Sequence, residues 1–478
     1  MKSQLDLLNA HITPTLFKLA APIMFGALLQ TCYTMTDMFW VGRLGDRPVA
    51  AVGSIGLLLY FTQSVFAACR IGGQTYTGQS LGAKRLDHAR SYAAEALRLT
   101  IWIALTFSLI LLTLRGPIIS IFGLNDAETL QAAHEYFIII ASGLAISVTP
   151  QILSSLMTST GDSRTPFAIT ALGLIANMIL DPLFIFVFHM GVKGAALATL
   201  LSQALQLITY YWRCHKHELF HQQRFLIPKF NKDAVEILKL GLPTAVQQIF
   251  FSGISIVIAR LVANFGDMAV AAQRIGINVE SISYAGAEGF TLALSSMMAQ
   301  NYGARNYYRV KRVYRTGFLL ICGLSAITSL LLFFFNRQFA QLFLSNPEAI
   351  DFCADYLRIQ SYTQVTMNFE IMVAGAFAAL GNTIIPSATI ISIMIMRVPI
   401  AIFLSQTSMK TSGIWWAISG TCALMGLCLA FFFEIYKRHA LDENPYGSVR
   451  RRLITRMRRQ KLEEQALQAA QQETPPSR

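Results

Sequence analysis

Residues 18–51, KLAAPIMFGALLQTCYTMTDMFWVGRLGDRPVAA, and residues 239–272, KLGLPTAVQQIFFSGISIVIARLVANFGDMAVAA, are one segment written twice. They align without a gap at an offset of 221, and the match continues to residue 306. Lys18-Leu19 and Pro22 meet Lys239-Leu240 and Pro243. Gly45-Asp46 and Val49-Ala50-Ala51 meet Gly266-Asp267 and Val270-Ala271-Ala272, and Gln79 with Gly82-Ala83 meets Gln300 with Gly303-Ala304. A later block at offset 220 pairs Tyr136 with Tyr356, Gly161 with Gly381 and Pro166 with Pro386. The shared residues are largely those that turns and kinks require. The chain is therefore two copies of one unit.

Both copies are apolar. Of 478 residues, 54% are hydrophobic and 14% charged, with a mean hydropathy of +0.47; soluble domains carry about 25% charged residues. Uncharged apolar runs recur at 19–36, 48–69, 136–161, 194–212, 240–259, 316–336 and 411–433. A run of roughly 18 such residues reads as a membrane span. Backbone groups in hydrocarbon must be paired internally, so the spans are helices, and barrel-type alternation is absent. Twelve spans are expected, near 15–41, 48–80, 92–114, 130–158, 166–189, 193–213, 236–262, 269–300, 314–335, 350–380, 384–406 and 411–436.

Basic loops set the sides. Lys84, Arg85 and Arg90 follow span two, Arg213, Lys216, Arg224, Lys229 and Lys232 follow span six, and Arg305, Arg309, Lys311, Arg312 and Arg315 follow span eight. The positive-inside rule puts both termini and the middle loop in the cytoplasm. The expected fold is an all-α integral membrane protein with twelve transmembrane helices in two six-helix lobes related by pseudo-two-fold symmetry. The lobes are 1–213 and 236–437, with a linker at 214–235 and a basic tail at 438–478. Because each copy starts on the same side, the repeats are parallel, a transporter architecture with its site between or within the lobes.

The composition sets several functions aside. The net charge of +13 is concentrated in alternate loops and the tail, which is topology rather than a nucleic-acid footprint. Arg450-Arg451-Arg452, Arg456 and Arg458-Arg459 read as an anchor to anionic membrane lipid. Gly-Lys never occurs, so no phosphate-binding loop for a nucleotide motor is present. No Ser/His/Asp, HExxH or paired-Cys constellation supports an enzyme, and seven isolated cysteines suggest reduced, packed thiols. Cys214, His215, His217 and His221 form a His-rich patch whose spacing does not make a metal site. No short apolar core precedes a small-residue cleavage site, so the first helix is expected to be retained.

Ionisable residues inside spans cost about 2.5–3.5 kcal/mol each to insert, and they mark function by default. They are Asp37, Arg70, Asp181, Arg274, Glu280, Glu288, Glu370 and Arg397. Asp37 and Asp181 fall near the outer ends of spans one and five, and Asn177 lies one helical turn before Asp181. With Thr199 on span six they offer oxygens for a hard cation, or an acid pair that takes up a proton. The plainer readings are an interfacial charge at Asp37 and a residue tolerated beside Pro182 at Asp181. The repeat favours a site peculiar to the first lobe, since the second copy has Ile258, Arg397 and Ala401 where the first has Asp37, Asn177 and Asp181. Thr199, by contrast, aligns with Thr421. Glu280, Glu288 and Glu370 belong to the second lobe, as part of a substrate cavity, a second proton site, or charge pairs with Arg274 or Arg397 that lock helices.

At these residues the chain resembles the multidrug and toxic compound extrusion (MATE) family, over about residues 12–437. The likeness rests on Pro22, Gln30, Tyr33, Asp37 and Val41-Gly42-x-Leu44-Gly45, then on Gly161-Asp162-Ser163-Arg164-Thr165-Pro166, Asn177-x3-Asp181-Pro182-Leu183-Phe184 and Gly194-Ala195-Ala196-x-Ala198-Thr199. The second lobe adds Ala271-Ala272-Gln273-Arg274-Ile275, Glu280-Ser281 and Ala299-Gln300-Asn301-Tyr302-Gly303-Ala304. The resemblance implies a V-shaped exporter that exchanges H⁺ or Na⁺ for amphipathic, often cationic, drugs or metabolites in a bacterial inner membrane. It implies no other cofactor, no nucleic-acid partner, and a monomer. In the DinF-like branch the matching cation site is Asp37, Asn177, Asp181 and Thr199, with a switching bend at Pro22. Gln30 and Tyr33 would line the cavity. The NorM-like branch uses a glutamate in helix seven; here 240–259 has no acid and Phe251 stands in its place, which favours the DinF-like branch. A lipid-linked precursor flippase is the alternative transporter, and a membrane scaffold or sensor the alternative of another class.

Overall fold

The computed structural model describes residues 5–441, apart from 121, 123–125, 216 and 221–230. Its α-helices run in chain order as α1 Ile12–Gly42, α2 Asp46–Gly82, α3 Leu86–Thr113, α4 Arg115–Ser120, α5 Ala127–Ser142, α6 Leu144–Ser159, α7 Arg164–Pro182 and α8 Gly191–His215 in the first copy. The second copy gives α9 Lys232–Ala263, α10 Asp267–Gly303, α11 Tyr307–Gln341, α12 Pro347–Ser361, α13 Gln364–Ala379, α14 Ile384–Ser405 and α15 Lys410–Ala440. No strand occurs among the described residues. Taking α3 with α4, α5 with α6 and α12 with α13 gives twelve spans.

Eight described helices are individually long and apolar enough to cross a bilayer, and α5–α6, bent by 50°, makes a ninth. α2 carries the uncharged apolar run 48–69, and α10 is more polar; at 37 residues each they are the longest described helices. The polarity of α10 has a place to go: it buries Gln273, Ser283, Thr291, Ser296, Gln300 and Asn301. Large apolar side chains such as Leu109, Ile179, Phe334, Phe403 and Leu427 point outward instead, as helices solvated by lipid tails do.

The repeat is visible in the backbone. Gly45 and Gly266 both have positive φ (111° and 102°), as do Gly161 and Gly381 (90° and 84°) and Lys84 and Arg305 (57° each). Left-handed backbone favours glycine, which is why the aligned residues sit there. Helix caps repeat too: Asp126 accepts from Thr129 N at 3.0 Å, and Asn346 accepts from Glu348 N at 2.9 Å.

The copies meet through α1 on α10, α2 on α9, and α2 on α10. A Cβ on Gly82 would sit 1.8 Å from the Gln300 carbonyl oxygen, and one on Gly303 would sit 1.8 Å from that of Gln79. The same glutamines clasp the opposite copy: Gln79 Nε2 donates to Ala379 O at 2.8 Å, and Gln300 Nε2 to Ser159 O at 2.7 Å. Of the described residues, those up to Phe433 form one compact unit and those from Glu434 belong to another. In the latter, Glu434 and Lys437 pair at 2.6 Å. The arginine-rich tail and His221 lie outside the described residues.

Candidate functional site

Asp181 lies on α7 one turn beyond Asn177, and both are fully buried. The Asn177 amide donates to Asp181 Oδ1 at 3.2 Å. Asp181 Oδ2 and Asn177 Oδ1 have no hydrogen-bond partner among the described residues. Such unpaired buried oxygens are costly and call for a partner. α7 continues past Pro182, which has no N–H to donate, as one turn of π-helix at Leu183–Val187. π-turns of this kind recur at functional sites.

Asp37 approaches from α1, half-buried, and it and Asp181 feel each other's charge. Tyr33, one turn earlier on the same helix, bonds the Thr199 hydroxyl of α8 at 3.3 Å. Buried Tyr136 of α5 lies within electrostatic range of Asp37, Tyr33 and Asp181. Two acids, an amide and three hydroxyls from α1, α5, α7 and α8 thus share one neighbourhood, joined by the bonds Asn177–Asp181 and Tyr33–Thr199. Neither acid has an ion pair among the described residues.

Gln30 stands apart: its side chain is exposed on α1, with no bond to this cluster. α1 runs unbroken through Pro22. In the sequence Tyr136 is marked only by its alignment with Tyr356.

The second lobe arranges its acids differently. Glu280 of α10 accepts from the Tyr356 hydroxyl and from Gln364 Nε2, both at 2.9 Å. Arg397 of α14, 6% exposed, donates from Nε to Thr421 Oγ1 at 2.8 Å and from a terminal nitrogen to Cys422 Sγ at 3.2 Å. It lies within electrostatic range of both Glu280 and Glu370. Glu288 is separate, paired with Arg70 of α2 at 3.6 Å across the two copies. Arg274 is exposed and pairs with none of these acids.

The alignment of Thr199 with Thr421 does not hold in three dimensions. Gly194 abuts the Phe184 backbone, and Gly413 abuts that of Leu404. Gly191 and Lys410 share positive φ (55° and 46°). These pairs fix the register of α8 on α15 at 219, so Thr199 matches Ile418 and Ser202 matches Thr421. Their bonds agree: Ser202 Oγ donates to Thr199 O at 2.8 Å, and Thr421 Oγ1 to Ile418 O at 2.9 Å. Thr199 is therefore as peculiar to the first lobe as the acids. Among the described residues no cluster of His, Cys, Asp and Glu forms a metal site, the linker's Cys214, His215 and His217 included.

A family profile described as MatE matches residues 22–183 and 243–403, one stretch in each copy. A Thermotoga maritima chain described as "Probable multidrug resistance protein NorM" is 30% identical over 396 residues, covering 82% of this chain and 85% of its own. A Shewanella oneidensis protein described as an FAD transporter is 25% identical, covering 91% and 97%. A solved MOP superfamily transporter from Pyrococcus furiosus superposes with a TM-score of 0.85 at 22% identity, covering 91% and 98%.

Proposed function

The chain belongs to the MatE family, a multi-pass membrane transporter family, and on that premise we propose that it exports amphipathic, often cationic, small molecules by exchange for H⁺ or Na⁺. The observation that carries this reading is that Asp37 and Asp181 lie within electrostatic range of each other inside the first lobe, with no ion pair to either among the described residues. Two bare carboxylates out of water repel each other, and one monovalent cation relieves that. Asn177 steadies Asp181, and the tie between Tyr33 and Thr199 couples α1 to α8. Asp37, Asn177, Asp181 and Thr199 are the proposed coupling residues.

In the proposed cycle the outward-facing acids take up a cation, α1 repacks, and affinity for the drug falls. The drug leaves outward, and return to the inward state releases the cation to the cytoplasm. For a neutral drug, one charge moving inward down ~100 mV supplies ~2.3 kcal/mol, enough for roughly a fifty-fold drug gradient; for a monovalent cationic drug the exchange is electroneutral, and the concentration gradient of the coupling ion supplies the drive. The protein would act as a monomer in a bacterial inner membrane with both termini cytoplasmic.

The test is export of a fluorescent organic cation from proteoliposomes under an imposed pH gradient and then a sodium gradient. One gradient is expected to drive export in the wild type and not in Asp37→Asn. Equal export by both proteins under that gradient overturns the coupling role.

A further inference from the structure

We propose that Arg397 is a tethered cation, holding the second lobe permanently in the charge state that the first lobe reaches only when an ion binds. The inference rests on the coupling role proposed above and adds what the other copy does. Arg397 occupies the position of Asn177, and Tyr356 that of Tyr136. The second-lobe counterparts of Asp37 and Asp181 are Ile258 and Ala401, 3% and 0% exposed in apolar packing. The acids facing Arg397 come instead from other helices, Glu280 from α10 and Glu370 from α13.

Charge arithmetic connects the two sites. Ionised Asp37 and Asp181 give −2, and one monovalent cation brings them to −1. Counted ionised in the same way, Glu280, Glu370 and Arg397 give −1 with nothing bound. The guanidinium is also held where a mobile ion would be free: Thr421 and Cys422 anchor it from α15, and Tyr356 and Gln364 anchor Glu280 from α12 and α13. Arginine keeps its charge at any physiological pH, so this cation does not leave during a cycle.

The experiment compares the full-length wild type, Arg397→Lys and Arg397→Asn in proteoliposomes, reading the drug gradient held at equilibrium against an imposed cation gradient. Arg397→Asn restores the residue of the first lobe. It is expected to recruit one further cation per drug. Under a roughly tenfold cation gradient it should hold a drug gradient about tenfold steeper than wild type. Arg397→Lys should match wild type. An unchanged gradient in Arg397→Asn, or equal changes in both variants, overturns the proposal. Breaking a buried charge pair can unfold a protein, so Arg397→Asn/Glu280→Gln, which restores −1, is measured alongside. It is expected to reach the membrane and couple as wild type does. Its absence from the membrane would mean that Arg397 acts through its contacts rather than its charge, and would overturn the proposal. Asp181→Asn in the same assay separates the two ideas: retained coupling there removes the first-lobe reading, whereas lost coupling with an unresponsive Arg397→Asn removes only this one.

Discussion

The two lobes share a backbone and differ in where they keep a positive charge. The first brings two acids together and supplies no Lys or Arg. The second places a buried arginine at the position of Asn177. The left-handed turns, the caps of α5 and α12 and the closest glycine contacts of α2 and α10 have counterparts in both copies. What divergence altered is the electrostatics of the pocket, which suggests that the scaffold constrains both lobes equally and the chemistry constrains them separately.

The largest effect should come from moving the second lobe's device into the first. Asn177→Arg would set a permanent cation one turn from Asp181. Coupled export should fall to background while the protein still reaches the membrane, as read by dye efflux alongside surface expression. Wild-type export would mean that the acids need no mobile ion.

Next in size are the close contacts the lobes hold in common. Gly82→Ala and Gly303→Ala each push a Cβ into a carbonyl oxygen at the crossing of α2 and α10. Overpacking of this kind costs about 1–3 kcal/mol. The two variants should lower the melting temperature in detergent by similar amounts, and a clear inequality would break the symmetry of the shared part.

A smaller, pH-dependent difference is expected at the caps of α5 and α12. Hydrogen bonds from Thr129 hold the Asp126 carboxyl below the usual carboxylate range, with Arg47 assisting. Its contribution is therefore full at neutral pH and is lost as pH falls through the depressed folded-state value. Asn346 caps α12 with no charge to titrate. The loss of melting temperature in Asp126→Ala should shrink on acidification, and that in Asn346→Ala should not. The least effect is expected at Arg70 and Glu288, a partly exposed pair worth about 0–1 kcal/mol by double-mutant cycle.

Much of the fold was legible because the repeat preserves the residues that backbone geometry forces. Gly45, Gly161 and their mates mark left-handed turns, and a turn is a local event. The acids stand out in the sequence because a carboxylate in an apolar run is costly to insert, and the second copy lacks them. What failed was register and partnership. The turn before α8 is one residue longer relative to α7 than its counterpart before α15, so the resemblance of Thr199 to Thr421 in sequence was a coincidence of composition. Glu280 finds its partners Tyr356 and Gln364 on separate helices, and no local pattern announces that meeting. Of the other second-lobe acids, Glu288 pairs with Arg70 while Glu370 lies in range of Arg397.

The most direct test is a count of cations bound per purified protein molecule, by proton uptake on a pH-stat and by retained radioactive sodium. Wild type should bind one more than the variant carrying both Asp37→Asn and Asp181→Asn. An identical count for the two proteins would contradict the account.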